Sequence, residues 1–345
     1  MAKTRLKAKT KSTQTVAVAP ALAHAVNAFT DINLRDIWRN VIPAYLDTQD
    51  LLALMKTCRR ARDLFTPAFN VRSDAIFVKQ AVSRQLDKVA VMLQANPRFF
   101  LSRSSVTDDS LREFESVSGL EYFLWAGDKS GSKVMLDNIP TNEKGLQVVE
   151  ALQMQLTTMQ TIGVSYHYDG KNQQEIHYDA SLEMQVISSY SAAHDTATYQ
   201  EKKAQWVGEL GPLQRLEPLC VAHAICRGAD NVNTVALTVK HDNSKTKAWY
   251  PLNKSDLGET FAIARGNDRG VSVLAPSEKM ATDTLAVISK AQSDRVENPQ
   301  RVEKKLARLH KKLSKPAESA SLFGSHRSKH KAQVSNNHHQ AERKL

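Results

Sequence analysis

The chain has 345 residues, 41% of them apolar, which is enough for two domains or for one large domain with tails. Its net charge of +11 is concentrated at the ends: residues 1–11 carry +5 and residues 301–345 carry +9, so the intervening residues carry −3. A nearly neutral middle argues against nucleic acid as a partner, three cysteines are too few for a disulfide framework, and no apolar run reaches the ~20 residues of a membrane-spanning helix.

The first 30 residues predict a disordered basic leader. They contain no acidic residue, and their few aliphatic side chains are interrupted by Pro20. A cleaved targeting peptide is the alternative, because small residues are spaced there as they are at cleavage sites.

Apolar residues at helical spacing dominate residues 31–70 and predict about three short helices. Ile37, Val41 and Tyr45 recur at steps of four and mark one face of the first helix. This segment offers more apolar side chains than so short a bundle can bury, so we expect the following domain or another protein to cover the remainder.

A second apolar set begins at Leu51 and continues with Leu52 and Leu54. The polar break before it predicts a helix start, for which Thr48 or Asp50 could be the N-cap.

The order and spacing of several short motifs in this region resemble the F-box. These motifs are Tyr45-Leu46, Asp50-Leu51-Leu52, Leu54, Cys58-Arg59 and Leu64-Phe65. F-box segments bind the small adaptor of cullin–RING ubiquitin ligases through the apolar face of their helices. By this resemblance the adaptor-binding residues would be Leu34, Ile37, Trp38, Val41, Tyr45, Leu46, Leu51, Leu52 and Leu54.

Residues 71–140 resemble degenerate ankyrin-like helical hairpins, with a general helical hairpin as the alternative. Residues 81–97 look like the end of one repeat and residues 118–140 look like the next. Residues 95–119 between them predict a polar loop, which makes the spacing longer than the ankyrin period of ~33 residues.

Residues 141–295 predict a mixed α+β domain. A long amphipathic helix covers 141–161, and alternating apolar residues on both sides of Asp169-Gly170 predict a β-hairpin, because this dipeptide accepts the positive φ of tight turns. We expect helices at 180–200 and 216–227, and two strands around a polar turn within 234–252.

The C-terminal end predicts one more helix and a tail. Val302, Leu306, Leu309 and Leu313 recur at steps of three and four, which indicates a basic amphipathic helix over 296–315. Polar residues dominate 316–345, so too little apolar surface remains there to offset the chain entropy, and we expect a disordered tail.

No motif for catalysis, phosphate binding or paired-cysteine zinc binding occurs, so the sequence predicts no enzyme, no cofactor and no metal site. Cys220, His223 and Cys226 could offer three ligands from one helix, but a structural zinc requires four. They are better interpreted as packed core residues.

F-box-like helices, ankyrin-like hairpins and a mixed domain together resemble the effectors that intracellular bacteria deliver through type IV secretion. The resemblance implies a mainly α fold with a smaller β component. It further implies a non-enzymatic adaptor that, in the host-cell cytoplasm, joins the host F-box-binding adaptor and cullin complex to an unknown target protein; the bacterial cytoplasm is the alternative location.

Three other functions stay open at this stage. The F-box-like helices could close the core of a scaffold that has no link to ubiquitin. An enzyme could have its site in 163–295, around Tyr166, His167 and His177. A nucleic-acid binder could use the basic ends of the chain.

Overall fold

The computed structural model of the protein describes five stretches of the chain, residues 36–227, 236–241, 244–249, 262–265 and 270–315. The predicted leader, the predicted tail and Leu34 lie outside these residues. The fold is mainly helical with a smaller β component, as predicted. Within the described stretches, no helix has the length and the apolar character that crossing a membrane requires.

The N-terminal helices form one group. They are a π-helical turn (Ile37–Val41), α1 (Ile42–Tyr45), α2 (Thr48–Thr57) and α3 (Arg59–Val82). The 24-residue helix α3 continues beyond this group and carries its C-terminal half into the main body of the protein.

Two capping residues set the ends of α2. Asp47 is the N-cap, and its side chain accepts a hydrogen bond from the backbone N–H of Asp50 at 2.7 Å. The prediction of Thr48 or Asp50 as the cap is wrong, because both are already inside the helix, whereas Asp47 has the extended backbone that an N-cap requires. Cys58 separates α2 from α3, and its sulfur accepts from the N–H of Ala61 at 3.4 Å.

Residues 95–119 are predicted as a polar loop but contain two β-strands, so that prediction is wrong. After α4 (Leu86–Ala95) and a 3-10 turn (Pro97–Leu101), the chain forms the antiparallel strands β1 (Arg103–Thr107) and β2 (Glu113–Ser118).

The turn between β1 and β2 is built by one carboxylate. Asp108 accepts from the backbone N–H groups of Ser110 and Arg112, both at 2.9 Å, and Leu111 adopts a φ of +66°. An aspartate that binds the backbone of its own turn is a recognisable signal. The strands themselves were hidden because β1 has no buried residue.

Five elements follow: α5 (Gly119–Ala126), α6 (Lys129–Asp137), α7 (Glu143–Thr161), β3 (Val164–Tyr168) and β4 (Lys171–Glu175). The predicted long helix and the hairpin at Asp169-Gly170 are confirmed, with φ values of +49° and +73° at the turn. The four strands pair in the order β1-β2-β3-β4, and all pairs are antiparallel.

The next helical segments are α8 (Ser181–Ala193), α9 (Tyr199–Lys203), a π-helical stretch (Ala204–Leu210), α10 (Gly211–Gln214) and α11 (Leu219–Arg227). The helices predicted over 180–200 and 216–227 are confirmed as α8 and α11. α8 ends earlier than predicted, and Thr198 starts a new helix through a capping box with Glu201.

A second sheet contains β5 (Ala236–His241), β6 (Ser244–Trp249), β7 (Ala262–Arg265) and β8 (Gly270–Val273), in the order β6-β5-β8-β7. The two strands predicted around a polar turn are confirmed by the β5–β6 hairpin.

The last helix, α12 (Glu278–Leu313), has 36 residues and contacts α5, α6, α7, α8 and α11. The amphipathic pattern predicted over 296–315 is its C-terminal part. Val302 and Leu306 are fully buried there, whereas Leu309 and Leu313 are partly buried. The sequence concealed the length of the helix because Pro299 lies inside it.

The described residues form two separate hydrophobic cores. The main core extends from Phe77 to Leu306 and is covered by both sheets and most of the helices. The N-terminal helices have a small core of their own, made of Leu51, Met55, Ala61 and Phe65.

Candidate protein-binding site

Three of the exposed apolar residues of the N-terminal helices follow one another at the start of this group, and we call them the open apolar face. Ile37, Val41 and Tyr45 follow one another at steps of four and have exposed fractions of 45%, 45% and 84%. Steps of four place side chains next to one another on a helical surface. These three residues belong to the set that the F-box resemblance implies for adaptor binding.

The other residues of that set differ in their burial. Leu51 is completely buried in the small N-terminal core, whereas the neighbouring Leu52 is 37% exposed. Trp38, Leu46 and Leu54 are half-buried against the same core. The surface available to a partner is therefore smaller than the predicted set, and Leu51 cannot be one of its anchors.

A guanidinium fixes the chain at the C-terminal end of the open apolar face. Arg72, on α3, donates hydrogen bonds to the backbone carbonyl oxygens of Pro43 and Leu46. Pro43 lies within the single turn of α1 and Leu46 is its C-cap, and a cation is favoured near the carbonyl groups at the end of a helix. The ring of Trp38 packs edge-on against Phe65 at a centroid distance of 6.4 Å. These contacts fix the helices that bear the open apolar face against α3.

An open apolar stripe on a helix suits insertion into an apolar groove of another protein. Each Å² of apolar surface removed from water contributes about 25 cal/mol, and an aromatic residue such as Tyr45 combines a large apolar area with a hydroxyl that can bond at the rim.

The residues of the predicted alternative enzyme site do not face one surface. Tyr166 is buried among aromatic rings, and burial raises the pKa of its hydroxyl to about 12. His167 is the next residue of the same strand, so its side chain points to the opposite face of the sheet. It lies 3.0 Å from the amide oxygen of Asn172 on β4. His177 contacts the carbonyl of Tyr178 at 3.2 Å.

A buried charged cluster escaped the sequence analysis. Arg112 is 3% exposed, pairs with Asp108 at 3.6 Å and has its guanidinium 5.0–5.9 Å from four aromatic ring centres. Those rings belong to Trp125, Tyr166, Tyr168 and Tyr178. The sequence shows each aromatic residue, but their convergence on one arginine depends on the β1–β2 hairpin, and the sequence predicts a loop at that place.

Two buried glutamates complete this cluster. Burial raises the pKa of Glu183 and of Glu217, and the two carboxyl groups hydrogen-bond to each other, which requires a shared proton. The hydroxyl of Tyr178 donates to Glu183 at 2.5 Å. Each glutamate is 1% exposed, so the pair and Tyr178 connect the segment after β4, α8 and the segment before α11 inside the protein, and the pair offers no group to a substrate.

The tempting cysteine and histidine cluster on α11 has other contacts. The thiol of Cys220 lies 3.4 Å from the carbonyl of Ala126, and burial raises its pKa to about 12. His223 Nδ1 lies 3.5 Å from Arg84 Nη1, and the side chain of Cys226 is outside the described residues. A different group, His194, Asp195 and Glu278, has its ligand atoms within 4.8 Å of one another, one ligand short of a structural zinc site.

Comparison with known proteins identifies one relationship. Over 231 residues the chain is 29% identical to a protein of Coxiella burnetii (strain RSA 493 / Nine Mile phase I) that is described as uncharacterized. The alignment covers 59% of this chain and 66% of that protein, so the chain spans less than two thirds of the relative. No family model matches the chain, and no solved structure matches it. The relationship is to a protein of an intracellular bacterium.

Proposed function

We propose that the chain is a non-enzymatic adaptor that binds the small F-box-binding subunit of a host cullin–RING ubiquitin ligase. The open apolar face would make that contact. The observation that carries the proposal is that Ile37, Val41 and Tyr45 stay exposed although the helices bearing them already have a core of their own.

Two further features support the proposal. Leu52, which the F-box resemblance also assigns to the adaptor contact, is exposed. The small N-terminal core is separate from the main core, so a partner could bind the N-terminal helices without disturbing the rest of the fold. The main body would then be free to hold the unknown target, and the recruited ligase would supply the chemistry while the adaptor supplies proximity.

The similarity to a Coxiella burnetii protein supports a proposal for where the chain acts. We propose that the chain, like effectors of intracellular bacteria, acts in the host-cell cytoplasm after secretion, because the proposed ligase partner is a eukaryotic complex.

A scaffold without a ubiquitin link is the second candidate. The complete burial of Leu51 favours it, because this leucine closes the protein's own core. The two functions differ in whether the open apolar face binds the ligase adaptor.

Affinity capture from a eukaryotic lysate tests the proposal. The tagged full-length chain should capture both the F-box-binding adaptor and its cullin, and the combined variant Ile37→Ala, Val41→Ala and Tyr45→Ala should lose both. A matched control replaces three similarly exposed helical residues elsewhere, Val91, Met154 and Val296.

The control variant should capture the complex as the unsubstituted chain does. Equal capture by both variants would remove the open apolar face from the interaction. Absence of adaptor and cullin from every eluate would leave the scaffold as the function.

A further inference from the structure

A cavity of about 320 Å³ lies between the turn that joins α5 to α6 and the helices α11 and α12. Its size is at the lower end of the ~300–1,000 Å³ range of small-molecule sites. Small apolar side chains from three elements keep it open: Ala126, Val221, Ala224, Val287 and Ala291.

The turn at one side of the cavity requires a glycine. Gly127 has a φ of +75°, and a Cβ there would lie 2.5 Å from Cγ of Arg295. Only glycine fits this position. Asp128 follows as the N-cap of α6 and accepts from the N–H of Gly131 at 3.0 Å, which fixes the start of that helix against the cavity.

One charged pair is a fixed part of the lining. Arg84 and Asp128 are joined by two hydrogen bonds, and their side chains are only 6% and 4% exposed. A buried and doubly bonded pair is electrically neutral and rigid. Arg84 therefore shapes the cavity without adding net charge to it.

The remaining charges of the lining do not balance. Lys129 and Lys290 both contact the same oxygen of Asp294, the second at 3.4 Å, so two ammonium groups share one carboxylate. Their side chains are 26% and 65% exposed and can turn toward a ligand. One positive charge is in excess, and Lys129 and Ser130 begin α6, where backbone N–H groups have no intrahelical acceptor.

The thiol in the lining excludes covalent chemistry at neutral pH. Burial raises the pKa of Cys220 to about 12, so the group stays a protonated thiol and not a nucleophilic thiolate. Cys220 therefore adds no charge to the lining.

We propose that this cavity binds a small amphipathic anion, with a medium-length alkyl chain and a single carboxylate or phosphate group. The apolar walls would hold the body, and Lys129 and Lys290 would hold the anion. This inference is independent of the proposed adaptor function, because it involves none of the N-terminal helices.

Isothermal titration calorimetry of the full-length chain with four probes of equal chain length tests the proposal. Octanoate and octyl phosphate are anions, whereas octanol is uncharged and octylamine is a cation. At least one of the anions should bind about tenfold or more tightly than both other probes, and the comparison between the two anions identifies the head group. Equal affinity for all four probes, or no binding of either anion, would overturn the proposal.

Matched variants locate the site. Lys290→Ala should weaken binding of the preferred anion roughly fivefold. Lys279→Ala should not, although Lys279 forms the same type of i,i+4 pair, with Asp283, on the same helix and is similarly exposed at 72%. Equal effects of the two substitutions would overturn the proposal.

Asp294→Asn separates a binding role from a structural one. Removal of the competing carboxylate frees both ammonium groups, so the affinity for the anion should rise, whereas loss of a purely structural ion pair would not raise it. Ala291→Leu, at a partly exposed wall position, should abolish binding with an unchanged melting temperature. A lower affinity in Asp294→Asn would overturn the proposal even if Ala291→Leu does not fold.

Discussion

At the scale of single residues, the most unusual feature is the pair of buried glutamates. The pKa of Glu217 is raised by burial first and by the proximity of Glu183 second, above the ordinary value of 4.5. Between pH 4.5 and the raised value, the folded chain holds a proton that the unfolded chain has lost. The stabilisation is therefore complete below pH 4.5 and decreases as the pH rises.

Glu217→Gln provides a permanent hydrogen-bond donor to Glu183 and should flatten this pH dependence. The free energy of unfolding of the unsubstituted chain should fall with rising pH above 4.5 by up to ~1.4 kcal/mol per pH unit, and that of the variant should fall less. Urea unfolding between pH 5 and 8 measures both, with the exposed Glu209→Gln as the control. Parallel profiles for all three chains would contradict the shared proton.

Sequence reasoning identified the exposed Tyr45 but missed the buried ionic cluster for a physical reason. Which residues share one face of a helix follows from their spacing in the sequence. Contacts between distant elements decide whether Arg112 packs on aromatic rings and whether Glu183 meets Glu217. The charges of these residues suggest a solvated surface when they are read along the chain.

At the scale of elements, α2 shows how one helix can serve two purposes. Leu51 points into the N-terminal core and the adjacent Leu52 points toward solvent, because successive helical residues lie about 100° apart. The sequence predicted both leucines as adaptor contacts, since the apolar pattern alone does not say which side of a helix its own bundle covers.

Substitutions in α2 should therefore have opposite consequences. Leu51→Ala should lower the free energy of unfolding of the N-terminal helices by ~2–5 kcal/mol, because it leaves a cavity in a small core. Leu52→Ala should lower it by less than about 1 kcal/mol. Amide hydrogen exchange of residues 48–82 measures the difference. Equal protection in the two variants would contradict the assignment of Leu51 to the core.

Elements with a strong pattern were predicted correctly, and those with a weak one were not. The helix Glu143–Thr161 and the hairpin at Asp169-Gly170 follow from periodicity and turn chemistry. β1 has no buried side chain, so the alternation that marks a strand is absent from it. The length of α12 was concealed by a proline that this helix accommodates.

At the scale of the whole molecule, the part of the chain that the structure describes has a large core and a small N-terminal core, and α3 connects them. The large core is bound together by α12, which contacts helices from most of the chain. The small core leaves the open apolar face uncovered. This division separates the helices that bear the open apolar face from the main core.

The binding of the purified F-box-binding adaptor to the full-length chain tests the central proposal most directly. Calorimetry should show a one-to-one complex with the unsubstituted chain and with Val296→Ala, and at least tenfold weaker binding with Tyr45→Ala, because aromatic anchors dominate such interfaces. Undetectable binding of the unsubstituted chain, or equal affinity for Tyr45→Ala and Val296→Ala, would contradict the account.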